Sequence, residues 1–145
     1  MPEQDCPFCA IATGAHEAAI VLDQPGALAF LDHRPLFRGH CLLIPRTHTE
    51  TLLELPDPET GPFFVAAKRL ARAVTEAMDA EGTFVAMNNV VSQSVPHLHA
   101  HVVPRRRKDG LRGFFWPRTK YESAEEMETV RAAIAATLDG PAGRM

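Results

Sequence analysis

The sequence has no apolar run approaching the roughly 18 residues that cross a membrane. Its first residues, Met1-Pro2-Glu3-Gln4-Asp5, are acidic where a secretion signal would be basic. A soluble, cytoplasmic protein without a membrane partner is expected. Cysteine is scarce, three in 145 residues, so no disulfide framework holds the chain together and free thiols or metal ligation are the alternatives. Excess base is missing too, the net charge being −3, which argues against a duplex nucleic-acid binder. There is no internal repeat and no linker-like stretch. Hydrophobic residues at 46% and charged residues at 23% exclude disordered, collagen-like and coiled-coil classes. One domain over residues 1–138 with a flexible tail over 139–145 is the expectation.

The charge is unevenly placed. Residues 105–120 hold seven of the 15 basic residues against one acid, Asp109, which describes either a solvated basic loop or a local anion site.

Short apolar runs come first: Ala19 to Leu22, Ala27 to Leu31 and Cys41 to Ile44, separated by Pro25-Gly26 and by the loop Pro35 to Gly39. These read as strands of an antiparallel meander. From Asp57, a candidate cap followed by Pro58, apolar residues recur with helical spacing at Phe64, Ala67, Leu70, Ala71, Val74 and Met78, so a helix of about six turns ending near Gly82 is predicted. Thr83 to Met87 and Leu98 to Val103 return to strand character. Ser123 and Glu126 form a capping box that opens a last helix through Met127, Val130, Ile134 and Leu138. The sum is an α+β fold, an antiparallel sheet of about five strands with two helices.

The informative segment is Pro96-His97-Leu98-His99-Ala100-His101-Val102-Val103-Pro104. On a strand, His97, His99 and His101 share one face about 6.6 Å apart, and Leu98, Ala100 and Val102 fill the other. Three imidazoles on one face suit two chemistries. They can bind a metal that keeps a position open to activate water. Alternatively, one imidazole attacks an electrophile while its neighbours hold its tautomer and bind the substrate. Ser92-Gln93-Ser94, just upstream, offers hydroxyls, an amide and turn N–H groups suited to phosphate. Cys6-Pro7-Phe8-Cys9 is half of a zinc site or a redox pair, and the redox reading wants a leading strand for which five residues leave little room.

His97-Leu98-His99-Ala100-His101-Val102-Val103 resembles the signature of the histidine triad (HIT) family, in which histidines alternate with apolar residues. Cys6-Pro7-Phe8-Cys9, Phe30-Leu31-Asp32 and the run Gly39 to His48 resemble further landmarks in family order, so the likeness covers about residues 5 to 105. It implies a HIT fold and a nucleotidyl hydrolase acting at the α-phosphate of dinucleoside polyphosphates or adenylated conjugates, in a homodimer. His99 matches the nucleophile, which forms a nucleotidyl-histidine intermediate. His101 matches a phosphate contact that helps to organise it, and Ser94 a group near the phosphate and leaving group. Asp32 matches the acid that holds the ribose hydroxyls, Gln93 a phosphate-side amide and Asn88 a further substrate contact. Phe30 and Ile44 either line the base pocket or belong to the core. The resemblance also implies a structural zinc held by Cys6, Cys9, His48 and His97, with His40 and Cys41 outside the set. Two other functions fit the same pocket: a nucleotidyl transferase or phosphorylase using the same nucleophile, and a non-catalytic nucleotide sensor.

The chain departs from the family pattern twice. The loop between Asn88-Asn89 and Gln93 is about two residues short and lacks the glycines usual there, which puts the phosphate role of Asn88 in question. Downstream, the segment Arg105 to Arg118 is longer than in the smallest members. Its Arg112, Arg118, Phe115 and Trp116 suit either the far end of a dinucleotide or packing across a dimer.

Overall fold

Strands β2 (Ala27–Leu31) and β3 (Cys41–Pro45) are apolar along nearly their whole length, the pattern of strands covered on both faces. A computed structural model describes residues 1–111 and 118–138 and shows what covers them. The chain divides into two units, Met1–Asp109 and Gly110–Met145.

The first unit is built on a five-stranded antiparallel sheet, ordered β1-β2-β3-β5-β4, with β1 at Ile20–Gln24, β4 at Gly82–Ala86 and β5 at Ala100–Arg105. Alternation sorts the side chains. Ala27, Ala29, Cys41, Leu43, Ala100 and Val102 face helix α2 (Asp57–Ala77), which buries Phe63, Ala66, Ala67, Leu70 and Val74 against them. Leu28, Phe30, Leu42 and Ile44 face the other way and pack on Cys6, Phe8 and Cys9. Those three residues belong to helix α1 (Pro7–Thr13) and its N-cap.

Helix α1 makes the count three helices rather than the two expected. Its brevity hides it from periodicity, but its ends are marked: Pro7 sits in the first turn, Cys6 Sγ accepts the Cys9 N–H at 3.4 Å, and Gly14 closes the helix at φ 84°. At the start of α2 the N-cap is Pro56 rather than Asp57, and Asp57 lies within the first turn, where its charge complements the helix dipole. The helix stops before Gly82 because Asp79 adopts φ 51° and Ala80 N–H closes on Thr75 O at 2.9 Å, a Schellman-type ending supplied by a residue other than glycine.

The histidine segment is also more irregular than the alternation suggests. The β5 ladder begins at Ala100, so His97 and His99 precede it. Pro45, at the end of β3, has no N–H to pair, and its carbonyl is taken by the His97 imidazole at 2.8 Å. The two-residue alternation nevertheless persists, with Leu98, Ala100 and Val102 all fully buried on the α2 side.

In the second unit, α3 (Ala124–Leu138) opens as expected, with Ser123 Oγ accepting the Glu126 N–H at 3.0 Å. The Glu126 carboxylate reaches back to the N–H of Glu122 rather than to that of Ser123. Met127, Val130, Ile134 and Leu138 are all exposed. The expectations for Arg112, Phe115, Trp116 and the tail 139–145 fall outside the described residues. Among the described residues, no helix is long and apolar enough to cross a membrane.

Leu43 is fully buried between β2, β5 and α2. Leu43→Ala is expected to lower unfolding stability by about 2–5 kcal/mol, read from urea denaturation.

Candidate functional site

Two clusters of polar side chains flank the histidine segment. In the first, His97 is fully buried and its ring is fixed at both nitrogens. Nε2 donates to Pro45 O, which leaves the Nδ1 lone pair facing Cys6 Sγ at 3.4 Å and Cys9 Sγ at 3.5 Å. His48 Nδ1 lies 3.2 Å from Cys9 Sγ. The four donors lie within 4.8 Å of one another. A tetrahedral zinc shell with ordinary bond lengths separates sulfur and nitrogen by about 3.5 Å. The His97 N–H on a carbonyl is the outer contact that orients metal-binding imidazoles. Burial and the facing Cys6 thiol push the Cys9 thiol up to about 12, and a cation between the sulfurs would reverse that preference. Cys6, Cys9, His48 and His97 can therefore hold a metal, and with four protein ligands the shell is closed. His48 Nε2 is buried without a partner among the described residues.

The second cluster is Asp32, His40, His99 and His101. His99 Nδ1 donates to its neighbour's carbonyl, His97 O, at 2.8 Å, so its Nε2 carries a lone pair. His40 Nδ1 accepts the Leu36 N–H at 3.0 Å, which puts the His40 proton on Nε2. That proton points to His101 Nδ1 at 3.0 Å, with Asp32 Oδ2 3.6 Å away. His101 must then carry its own proton on Nε2. The three rings thus hold defined tautomers: one lone pair on His99 and one N–H on His101, with ring centroids 5.1 Å apart. Donor atoms of Asp32, His40 and His101 also lie within 4.8 Å of one another, but His40 Nε2 holds a proton as long as the Leu36 N–H occupies Nδ1. The cluster is a hydrogen-bonded chain.

Local backbone explains the convergence. Asp32 N–H bonds His40 O at 2.9 Å, extending the β2–β3 ladder beyond Leu31 and Cys41 and setting the two residues side by side. Gly39 permits this at φ 98°, and a Cβ there would meet the Met78 side chain at 2.6 Å.

His99, His101, Asp32 and Ser94 open together into a cleft of about 680 Å³ whose walls include Pro7, Phe8, Ile11, Phe30, Leu42 and Val95. An apolar slot with a few convergent polar groups is the usual form of a small-molecule site. Phe30 lines the cleft, whereas Ile44 is buried in the core. Asn88 and Gln93 are not brought to the cleft. The Asn88 amide donates to Ser92 O, and Gln93 accepts from Val90 N–H at 2.9 Å and donates to Glu50 O at 2.6 Å. These amides hold the shortened loop, in which Val90 and Ser92 stand at φ 72° and 63°, where glycine would sit without strain.

Reading the sequence missed His40 and Phe8. Leu42 pairs with His101 across β3 and β5, and His40 lies two residues from Leu42, hence on the same face; the period-two rule held the signal once the register was known. Phe8 was hidden inside a motif read only for its cysteines. Cys41 stays outside the site, its thiol pushed up to about 11 by burial.

The sequence matches the HIT domain over residues 13–108. The chain belongs to the HIT family. A solved HIT-family structure from Bacillus subtilis is 32% identical, with a TM-score of 0.83 over 94% of this chain and 99% of that one. A Zn-bound histidine triad protein from Mycobacterium smegmatis is 36% identical, with a TM-score of 0.71 over 94% of this chain and 97% of its own. Adenosine 5′-monophosphoramidase hnt1 of Schizosaccharomyces pombe is 30% identical over 92% of this chain and 98% of its own length. The fold is the HIT fold.

Burial, together with the neighbouring His99 and His40, lowers the His101 pKa to about 4, against the opposing pull of Asp32. The unfolded chain therefore takes up a proton near pH 6.5 that the folded HIT domain refuses. Stability from this group is present above pH 6.5 and declines as pH falls toward 4. An NMR titration should find His101 neutral at pH 6, and ¹⁵N shifts should show His40 and His101 both protonated on Nε2.

Proposed function

We propose that this HIT protein is a nucleotidyl hydrolase that cleaves at the α-phosphate of dinucleoside polyphosphates or adenylated conjugates. The observation that carries the reading is the His99 tautomer, an Nε2 lone pair facing a cleft whose other polar groups are the His101 N–H, the Ser94 hydroxyl and the Asp32 carboxylate. The activity in the name of the Schizosaccharomyces pombe relative supports it.

In this reading His99 Nε2 attacks the α-phosphorus, a P–N bond forms, and the bond to the leaving group breaks with its electron pair on the departing atom. His101 Nε2–H donates to the phosphoryl oxygens and Ser94 meets the leaving group. Water then attacks the same phosphorus and loses a proton to solvent, the P–N bond breaks with its electron pair returning to His99 Nε2, and AMP leaves the restored imidazole. Asp32 Oδ1 already accepts the Arg34 N–H at 2.9 Å. Its remaining lone pairs suit the ribose diol. The apolar walls take the base.

Zinc fits the Cys6, Cys9, His48 and His97 donors, and when bound it supplies a structural tie rather than an activated water, because the four ligands complete the shell. The Zn-bound mycobacterial relative supports this assignment. We further infer a homodimer formed through the β4 edge and the exposed α2 residues Phe64 and Val65, and a cytoplasmic protein, since thiolate ligands persist in reducing compartments.

His99→Asn should reduce AMP release from diadenosine tetraphosphate and from an adenosine phosphoramidate by at least about 10³-fold while AMP still binds. Wild-type protein quenched during turnover should carry a nucleotidyl adduct by mass spectrometry. A wild type that binds AMP but cleaves neither compound would remove the hydrolase reading. Metal analysis should find zinc in the wild type and its loss in Cys6→Ala; unchanged stoichiometry would sink the ligand set.

A further inference from the structure

The side chains of helix α1 have two destinations. Cys6 and Cys9 direct their sulfurs to His97 and His48, whereas Pro7, Phe8 and Ile11 form a wall of the cleft. The Phe8 ring joins the two sides, standing edge-on to His97, His99 and Phe30 with centroids 6.0, 5.1 and 5.4 Å away. At seven residues α1 is far below the roughly 12–15 at which a helix persists alone. Its position therefore depends on what its side chains hold. At its C-terminal end Arg46 Nη1 donates to Ala12 O at 3.1 Å, while its N-terminal end is tied through the two cysteines and Phe8.

We propose that metal occupancy of the Cys6, Cys9, His48 and His97 site and nucleotide occupancy of the cleft are coupled through Phe8, a positioning residue that sets both the cleft wall and the His99 ring. The proposal rests on the reading of the cleft as a nucleotide site. A cation on the two sulfurs fixes the N-terminal end of α1, and the fixed helix presents Phe8 to the base and to His99. Because the coupling is a free energy, it runs both ways: AMP must tighten metal binding by the factor by which metal tightens AMP binding. Loss of one aromatic wall of an apolar slot corresponds to about tenfold or more in affinity.

The test is calorimetric titration of AMP into the zinc-loaded protein, the chelator-stripped protein and the reloaded protein, with chelator competition for zinc measured with and without AMP. About tenfold weaker AMP binding on stripping, recovery on reloading and an equal shift in the competition midpoint are expected. Phe8→Ala and the milder Phe8→Leu should retain one zinc, bind AMP more weakly and lose the mutual shift. Equal AMP affinity in stripped and loaded protein of unchanged circular dichroism overturns the coupling, as does a mutual shift that survives in both Phe8 variants. Loaded protein that binds no AMP removes the nucleotide reading itself, and the coupling with it.

Discussion

Every polar atom of His97 is engaged, and the HIT domain is organised around that fact. Its N–H bonds Val95 O, its Nε2 bonds Pro45 O, its Nδ1 faces two thiols, and its carbonyl receives the Nδ1–H of His99. A fully buried imidazole left with an unmade bond would cost roughly 1–3 kcal/mol, so the arrangement is constrained as a set. The β3–β5 pairing stops at Ala100, beyond which the His97 ring takes the Pro45 carbonyl, and the carbonyl bond of His97 selects the tautomer of His99. His97 is a hub that touches strand β3, the cysteines of α1 and its N-cap, and the ring of His99.

The sheet makes such a hub possible. With α2 over one face, Leu98, Ala100 and Val102 anchor the histidine segment from behind. On the opposite face, side chains of α1, β2 and β3 wall the cleft, while its polar groups include Asp32, Ser94, His99 and His101, from the end of β2 and the segment that leads into β5. Chemistry and containment thus come from different parts of the chain. The short loop 88–93 belongs to neither: its amides are occupied in keeping Val90 and Ser92 in their left-handed conformations.

Much of this was legible in the sequence because it is periodic. The alternation of His97, His99 and His101 with Leu98, Ala100 and Val102 places the two sets on opposite faces, and the structure keeps them there although the ladder starts only at Ala100. Helix α2 is legible from its apolar stripe. What escaped depends on contacts far apart in the chain. Nothing near Gln93 in sequence says that Glu50 O will claim its amide. His40 is invisible until β3 is registered against β5, and a seven-residue helix has too few turns to show a period. Asp79 ends α2 in a conformation that sequence rules reserve mainly for glycine.

The hydrogen-bonded line from His40 through His101 to the cleft has a direction, and the direction is anchored in the main chain. Its outer end is an N–H that faces the cleft; its inner end is His40 Nδ1, which accepts the Leu36 N–H. A neutral imidazole N–H orients what it touches rather than surrendering its proton, so the line acts as a fixed string of dipoles. Reversing the string would require the Leu36 N–H to lose its acceptor, so the polarity presented to the cleft rests on a main-chain amide that no substitution at position 36 removes short of proline.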